Sequence, residues 1–259
     1  MDSIQSMVYL LKQKKYIYLF NSITIPPCLL TKVGTPMLNH LKNSVLKMKA
    51  LTRLYAYSYG PMNSTYLKRS LDVVSGTLAR YPRVYALRVD LRFASESPED
   101  DTDTLTCLQR SDSSVITRFM ESLKSQLRAD HYRQKRRGSP SLPTVIWCRE
   151  QESSASPHYH LMLLFNKDVY AFLGDYRDYD ANNMGTRIQK AWCSALDLPY
   201  PDNATLVNFP VNPQYRFDRN SARNLDDNFS AFLFRMAYLS KQRTKVADGQ
   251  RNFGCSQVR

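Results

Sequence analysis

Cysteine is scarce in this chain: five residues scattered over 259, an odd number and without a CxxC pair. That pattern is not a disulfide framework and argues against a closed structural zinc site. It reads as reduced thiols in a cytoplasmic protein. No uncharged apolar run reaches the length of a membrane span, so no membrane partner is expected. The N-terminus lacks the order of a signal peptide, because Asp2 comes early and Lys12, Lys14 and Lys15 interrupt its apolar stretch. There is no internal repeat and no low-complexity tract. Acidic residues are few at the start: residues 1–80 contain only Asp2 and Asp72 against eleven Lys or Arg, a net of +9.

What remains is a globular composition. Apolar residues make up 43% and aromatics 12%, which excludes general disorder. The length suits one large domain, or an ordinary domain with a smaller one, and a core of that size needs no staple. The whole chain carries +13, which points to a polyanionic partner, nucleic acid first. Solubility alone is the plain alternative.

Charge and periodicity divide the chain into a basic, mostly helical region at 1–80, an α+β domain at 81–245 and a tail at 246–259. Apolar residues recur at helical spacing in 39–57 and again in 64–80, where Ser64 is placed to cap and Leu67, Leu71, Val74 and Leu78 form the stripe. From residue 81 the period becomes two. Tyr85, Leu87, Val89 and Leu91 alternate with Ala86, Arg88, Asp90 and Arg92, a strand with one apolar and one polar face. An acidic loop follows at 96–103, then a helix at about 113–130. Strands are expected at 144–150, 157–166 and 204–210, and helices at 182–196 and 228–243. Hairpin-joined strands with helices between them predict an α+β fold with a largely antiparallel sheet flanked by helices.

Two of the four histidines form His158-Tyr159-His160 within an apolar strand. Residues two apart share a face, so both imidazoles point one way, where they suit a divalent metal. A bare HxH is more often a pair of polar strand residues, so a third ligand is needed. Glu150 ends the preceding strand on the face of Ile146 and Cys148, and a hairpin would bring it beside the histidines. Glu152 is a rival in the connecting loop. Two imidazoles and one carboxylate leave positions open for a phosphate and water, which is catalytic geometry. About eighty residues on, Tyr238 and Lys241 lie three apart on an expected helix, sharing one face. A tyrosine oxygen can attack a phosphate polarised by a metal and a cation, and Lys241 could be that cation. Tyr215 is a rival, in a Pro-rich loop without a lysine partner. Arg88, Arg92, Arg149 and Lys245 are the candidate nucleic-acid contacts; for Arg88 and Arg92 a solvated strand face is the plain alternative.

Glu150, His158-Tyr159-His160 and Tyr238-x-x-Lys241, in that order, resemble the HUH endonucleases, the rolling-circle replication initiators and relaxases. The chain is more closely similar to inovirus-type replication proteins and to prophage proteins with a YagK/YfjJ C-terminal domain. The stretches that carry this are Leu87–Arg92, Thr117-Arg118-Phe119, Trp147–Glu150, His158–Asn166, Ala191-Trp192, Tyr238–Lys241 with Thr244-Lys245, and Arg251–Gly254. The resemblance covers about residues 81–255. It implies a sheet of about five strands, Mg²⁺ or Mn²⁺ at Glu150, His158 and His160, and Tyr238 as the residue that nicks single-stranded origin DNA. The product would be a 5′-phosphotyrosine and a free 3′-OH, with a host helicase and polymerase as partners in a bacterial cytoplasm. The larger phage initiators carry two tyrosines on one helix; here Phe234 stands at the other position, so the chain would be a single-tyrosine type. Two other readings stay open: a non-catalytic DNA-binding regulator or decayed prophage protein, and a metal-dependent nuclease without a covalent tyrosine.

Overall fold

The computed structural model describes residues 52–53, 55–94, 109–151, 157–245 and 248–257. The helix expected at 39–57 lies mostly outside these, and the acidic loop and Glu152 lie wholly outside. After a helical stretch at 55–59, helix α1 (Ser64–Arg80) leads to strand β1 (Arg83–Leu91), helix α2 (Val115–Arg133), and strands β2 (Thr144–Glu150) and β3 (His158–Asn166). Helix α3 (Met184–Leu196), strands β4 (Val207–Asn208) and β5 (Gln214–Asp218), helices α4 (Arg219–Asn224) and α5 (Asp227–Ala237), and strand β6 (Phe253–Cys255) complete the order.

The fold is α+β, with a six-stranded antiparallel sheet flanked by helices. Its order is β4-β1-β3-β2-β6, and β5 also pairs with β1. β4 meets β1 at Asp90 and Leu91, and β5 meets it at Arg83–Leu87, so the two short strands share one edge. Alternation sorts the side chains onto two faces. Tyr85, Leu87, Val89, Trp147, Tyr159, Leu161 and Leu163 pack against α2 and α3, through Phe119, Leu123, Ile188 and Trp192. Val84, Ala86, Ile146, Cys148, Met162 and Leu164 pack against α1 and α5, through Leu67, Leu71, Val74, Phe229, Phe232 and Met236. Burial on both faces corrects the expected polar outer face of β1. Helices α1 and α5 cover it, so Arg88 is only 4% exposed and needs an internal partner.

Local chemistry explains where the elements start. Asn63, not Ser64, caps α1, accepting from Tyr66 N at 3.1 Å. Asn183 and Thr186 form a reciprocal capping box at the start of α3. Asp226 caps α5 through Phe229 N at 2.8 Å. The strand expected at 204–210 is a 3₁₀ turn, Ala204–Leu206, followed by two-residue β4.

Two boundaries move. Leu67, Leu71 and Val74 of α1 share a core with the sheet, so residue 80 is not a packing boundary. Residues in the expected tail form β6, which pairs with β2 through Cys148↔Phe253, Trp147↔Gly254 and Ile146↔Cys255. Gly254 is required there: a Cβ would sit 2.5 Å from Trp147 Cε2. Trp147 is 5% exposed and cannot simply swing away. Gly254→Ala should therefore cost about 2 kcal/mol by overpacking, read as a lower urea midpoint with an unchanged m-value. An unchanged midpoint would reject this account of β6.

Candidate active site

The sheet registers build the site. On β2 and β3, Glu150 lies opposite His158 and Cys148 opposite His160. On β1 and β3, Asp90 lies opposite His160. All five side chains therefore project from one end of the sheet onto the face covered by α5. The Nε2 atoms of His158 and His160 approach to 3.0 Å, and His160 Nε2 lies 3.6 Å from Glu150 Oε2. One ligand atom from each of Glu150, His158 and His160 lies within 4.8 Å of the others. A carboxylate and two imidazoles suit a hard or borderline divalent ion.

Asp90 completes that donor set. Its Oδ1 lies 2.6 Å from His160 Nδ1, and Arg88 Nε donates to the same oxygen at 2.8 Å. A carboxylate on the far ring nitrogen is the usual partner of a metal-ligating histidine: it fixes the ring and turns Nε2 inward. The signal for Asp90 was its place beside Arg88 on the polar face of β1, but the register was needed to show which residue it serves. Burial lowers the His160 pKa to about 4, outweighing the hydrogen bond to Asp90 that raises it. His158 is also lowered, again chiefly by burial. Both rings are thus neutral at pH 7, the form that binds a metal.

The tyrosine arrives by a change of helix type. Helix α5 ends at Ala237, and Tyr238–Ser240 continue as a 3₁₀ turn. This corrects the expected α-helix through 243. The shared face survives, because side chains three apart eclipse in a 3₁₀ turn. Lys241 Nζ donates to the Tyr238 hydroxyl at 2.5 Å and lies 4.0 Å from its ring centroid. The Tyr238 hydroxyl donates to Glu150 Oε2 at 3.3 Å. Lys241 itself is extended and buried. Residues 61–63 hold this turn through backbone bonds: Asn63 N to Ser240 O at 2.8 Å and Gln242 N to Pro61 O at 2.8 Å. Tyr59 packs edge-on against Tyr238 at 5.4 Å between ring centroids. The end of the basic N-terminal region is therefore one wall of the site.

Burial, and then the Glu150 carboxylate, raises the Tyr238 pKa well above that of an ordinary phenol, while Arg88 opposes them. Its guanidinium stands 5.1 Å over the ring. Glu150 shows the reverse balance. Burial would raise its pKa, but Lys245, His160 and Lys241 together hold it at about 2. Lys245 Nζ donates to Glu150 Oε1 at 2.8 Å, and Lys241 Nζ lies 3.0 Å from Oε2.

Glu150, His158, His160, Tyr238, Lys241, Lys245 and Arg88 thus come together. Three of the four basic residues read as nucleic-acid contacts have partners within the protein. Arg88 is buried on Asp90, and Lys245 is turned onto Glu150. Arg149 points to the opposite sheet face, where it makes two bonds with Asp248 at 3.0 and 2.7 Å. Of the four, Arg92 alone is exposed, close enough to His158 to help lower its pKa. Tyr215, the rival nucleophile, lies on β5 opposite Ala86, away from the histidines.

No described helix is long and apolar enough to cross a membrane. No solved structure matches the chain. Two proteins of Escherichia coli (strain K12) do. The uncharacterized protein YagK is 43% identical over 183 residues, covering 69% of this chain and 86% of YagK. The uncharacterized protein YfjJ is 37% identical over 208 residues, covering 78% of this chain and 98% of YfjJ. The YagK/YfjJ C-terminal domain family matches residues 45–256, a span that takes in α1, the whole sheet and the tyrosine turn, and the chain belongs to that family.

Proposed function

We propose that this protein is a metal-dependent nickase of single-stranded DNA that initiates rolling-circle replication of a phage or prophage element. One observation carries the reading: a phenol, an ammonium group and a Glu/His/His cluster meet within hydrogen-bonding distance at one end of the sheet. Mg²⁺ or Mn²⁺ held by Glu150, His158 and His160 would polarise the scissile phosphate. Tyr238 Oη forms the new bond to phosphorus as the bond to the 3′-oxygen breaks. The phenolic proton passes to solvent at attack, and the departing 3′-oxygen takes up one proton from solvent, so the exchange is balanced. Lys241 holds the Tyr238 oxygen in line and supports the negative charge that grows on the phosphate. Asp90 keeps His160 oriented throughout. The 5′-phosphotyrosine preserves the phosphodiester energy, so the nick can be resealed, and the free 3′-OH suits extension by a host polymerase. Single-stranded or extruded DNA fits, because a phosphate must pass exposed Arg92 and half-buried His158 to reach a half-buried tyrosine.

The test is incubation of the full chain with single-stranded origin DNA and Mn²⁺, followed by denaturing electrophoresis. A protein–DNA adduct that survives denaturation and disappears with chelator is the expected result. Binding without cleavage would favour a regulator, and cleavage without an adduct a nuclease that does not use the tyrosine.

A further inference from the structure

We infer that the two lysines on Glu150 act in opposite directions on metal loading: Lys241 stands in for the cation and gives way to it, whereas Lys245 stays and holds the carboxylate in place. The inference rests on the metal reading above and assigns each lysine its part in it.

Both oxygens of Glu150 are occupied, and the residue is only 1% exposed. They differ in what they face. Oε2 has His160 Nε2 at 3.6 Å, the Tyr238 hydroxyl at 3.3 Å and Lys241 Nζ at 3.0 Å. Oε1 has Lys245 Nζ at 2.8 Å and Cys148 Sγ at 3.4 Å. A cation bound by the two imidazoles would take the oxygen that faces them, Oε2. Lys241 is already there, and an ammonium and a divalent ion on one buried oxygen repel strongly. Lys241 can leave at small cost, because it keeps the Tyr238 hydroxyl and the ring face as partners. The move would carry its charge away from Glu150 and toward the nucleophile.

Lys245 has no such conflict. It lies on the oxygen turned away from His160, and it is tethered on its other side to Leu239 O at 3.3 Å. Loading does not require it to move. It limits rotation of the carboxylate and keeps Oε2 aimed at the histidines. Without it, Lys241 would be the remaining ammonium on Glu150, free to take both oxygens and to compete harder with the ion. Loss of Lys245 therefore weakens loading even though a positive charge has gone.

The experiment is Mn²⁺ binding to the full chain, without DNA, by calorimetry with electron paramagnetic resonance of free Mn²⁺ as a second readout. Thermal melting confirms that each variant is folded. Lys241→Gln should bind Mn²⁺ about tenfold more tightly than wild type. Lys245→Gln should bind about tenfold more weakly, the usual size for a residue that orients a ligand. Lys245→Arg should restore wild-type affinity, since it keeps a cationic donor on Oε1. Shifts in the same direction, or no shift in a wild type that binds, overturn the division between the lysines and leave the metal reading standing. If Lys245→Gln does not fold, Lys241→Gln decides alone, and failure to tighten overturns the inference. Silence from both wild type and Lys241→Gln would overturn the metal reading and the inference together. A silent wild type with a binding Lys241→Gln would support both.

Discussion

Tyr238→Phe should leave a protein that folds and binds DNA and Mn²⁺ but forms no covalent adduct. The substitution removes one oxygen and keeps the ring, which packs against His160 at 5.3 Å and Tyr59 at 5.4 Å between centroids. Lys241 keeps its ion pair with Glu150, so no buried charge is stranded. The stability cost should stay within about 1 kcal/mol, the size of one lost hydrogen bond. Activity is another matter, because among the described residues neither the neighbouring tyrosine nor the rival one can play the same part. Tyr59 has its hydroxyl bonded to Phe234 O at 3.1 Å, and Tyr215 lies at the far strand position. Adduct yield should fall by at least about 10³-fold, as it does when a covalent nucleophile is removed. Lys241→Ala should slow adduct formation less, since its charge supports the reaction without being bonded to the phosphate. If instead Tyr238 were only a boundary residue of an amphipathic helix, the Phe variant would be neutral. A wild-type adduct yield, or mapping of the DNA to another tyrosine, would refute the assignment.

The Glu/His/His half of the site could be read from the sequence because its geometry is local. Period two places His158 and His160 on one face, and an adjacent hairpin strand places Glu150 beside them; the register, Glu150↔His158, bears this out. Tyr238 and Lys241 share a face in either helix type, so their pairing was legible although the helix ends early. What escaped was non-local. Arg88 and Asp90 look like a solvated face until α1 and α5 are laid over them. β5 follows Pro213 and β6 has three residues, too short to show a period, and each becomes a strand only by pairing with β1 or β2. Asn63 and Pro61 give no sign that their backbone will hold the tyrosine turn, about 180 residues away along the chain. That contact also changes how the N-terminal charge should be studied. Truncation at residue 80 would remove a core helix and one wall of the site, so a deletion meant to test the DNA affinity of the basic region must stop well before residue 61.

The second large effect belongs to the histidines. His158→Ala with His160→Ala should abolish Mn²⁺ binding and cleavage while leaving DNA binding largely intact. The rings would supply two of the three ligand atoms of the proposed site, and a lone carboxylate already held by two ammonium groups has little affinity for a divalent ion. Loss of a residue that merely orients a ligand costs about 10- to 100-fold in affinity, so loss of two ligands should exceed that. The fold should survive, because the histidines lie at the end of β3 and the apolar run from Leu161 to Phe165 remains in the core. Asp90 keeps Arg88 as its charged partner when His160 is gone. His158→Ala alone is the gentler form of the test: its ring is half-buried and bonds only to His160 among the contacts that define the site. The single variant should weaken Mn²⁺ binding and adduct formation in parallel, and a higher Mn²⁺ concentration should recover part of the adduct. Recovery follows if the residue acts through the ion, and would be absent if it acted on DNA directly. Cleavage that persists in the double variant with excess chelator would eliminate the Glu150–His158–His160 site as the source of the activity.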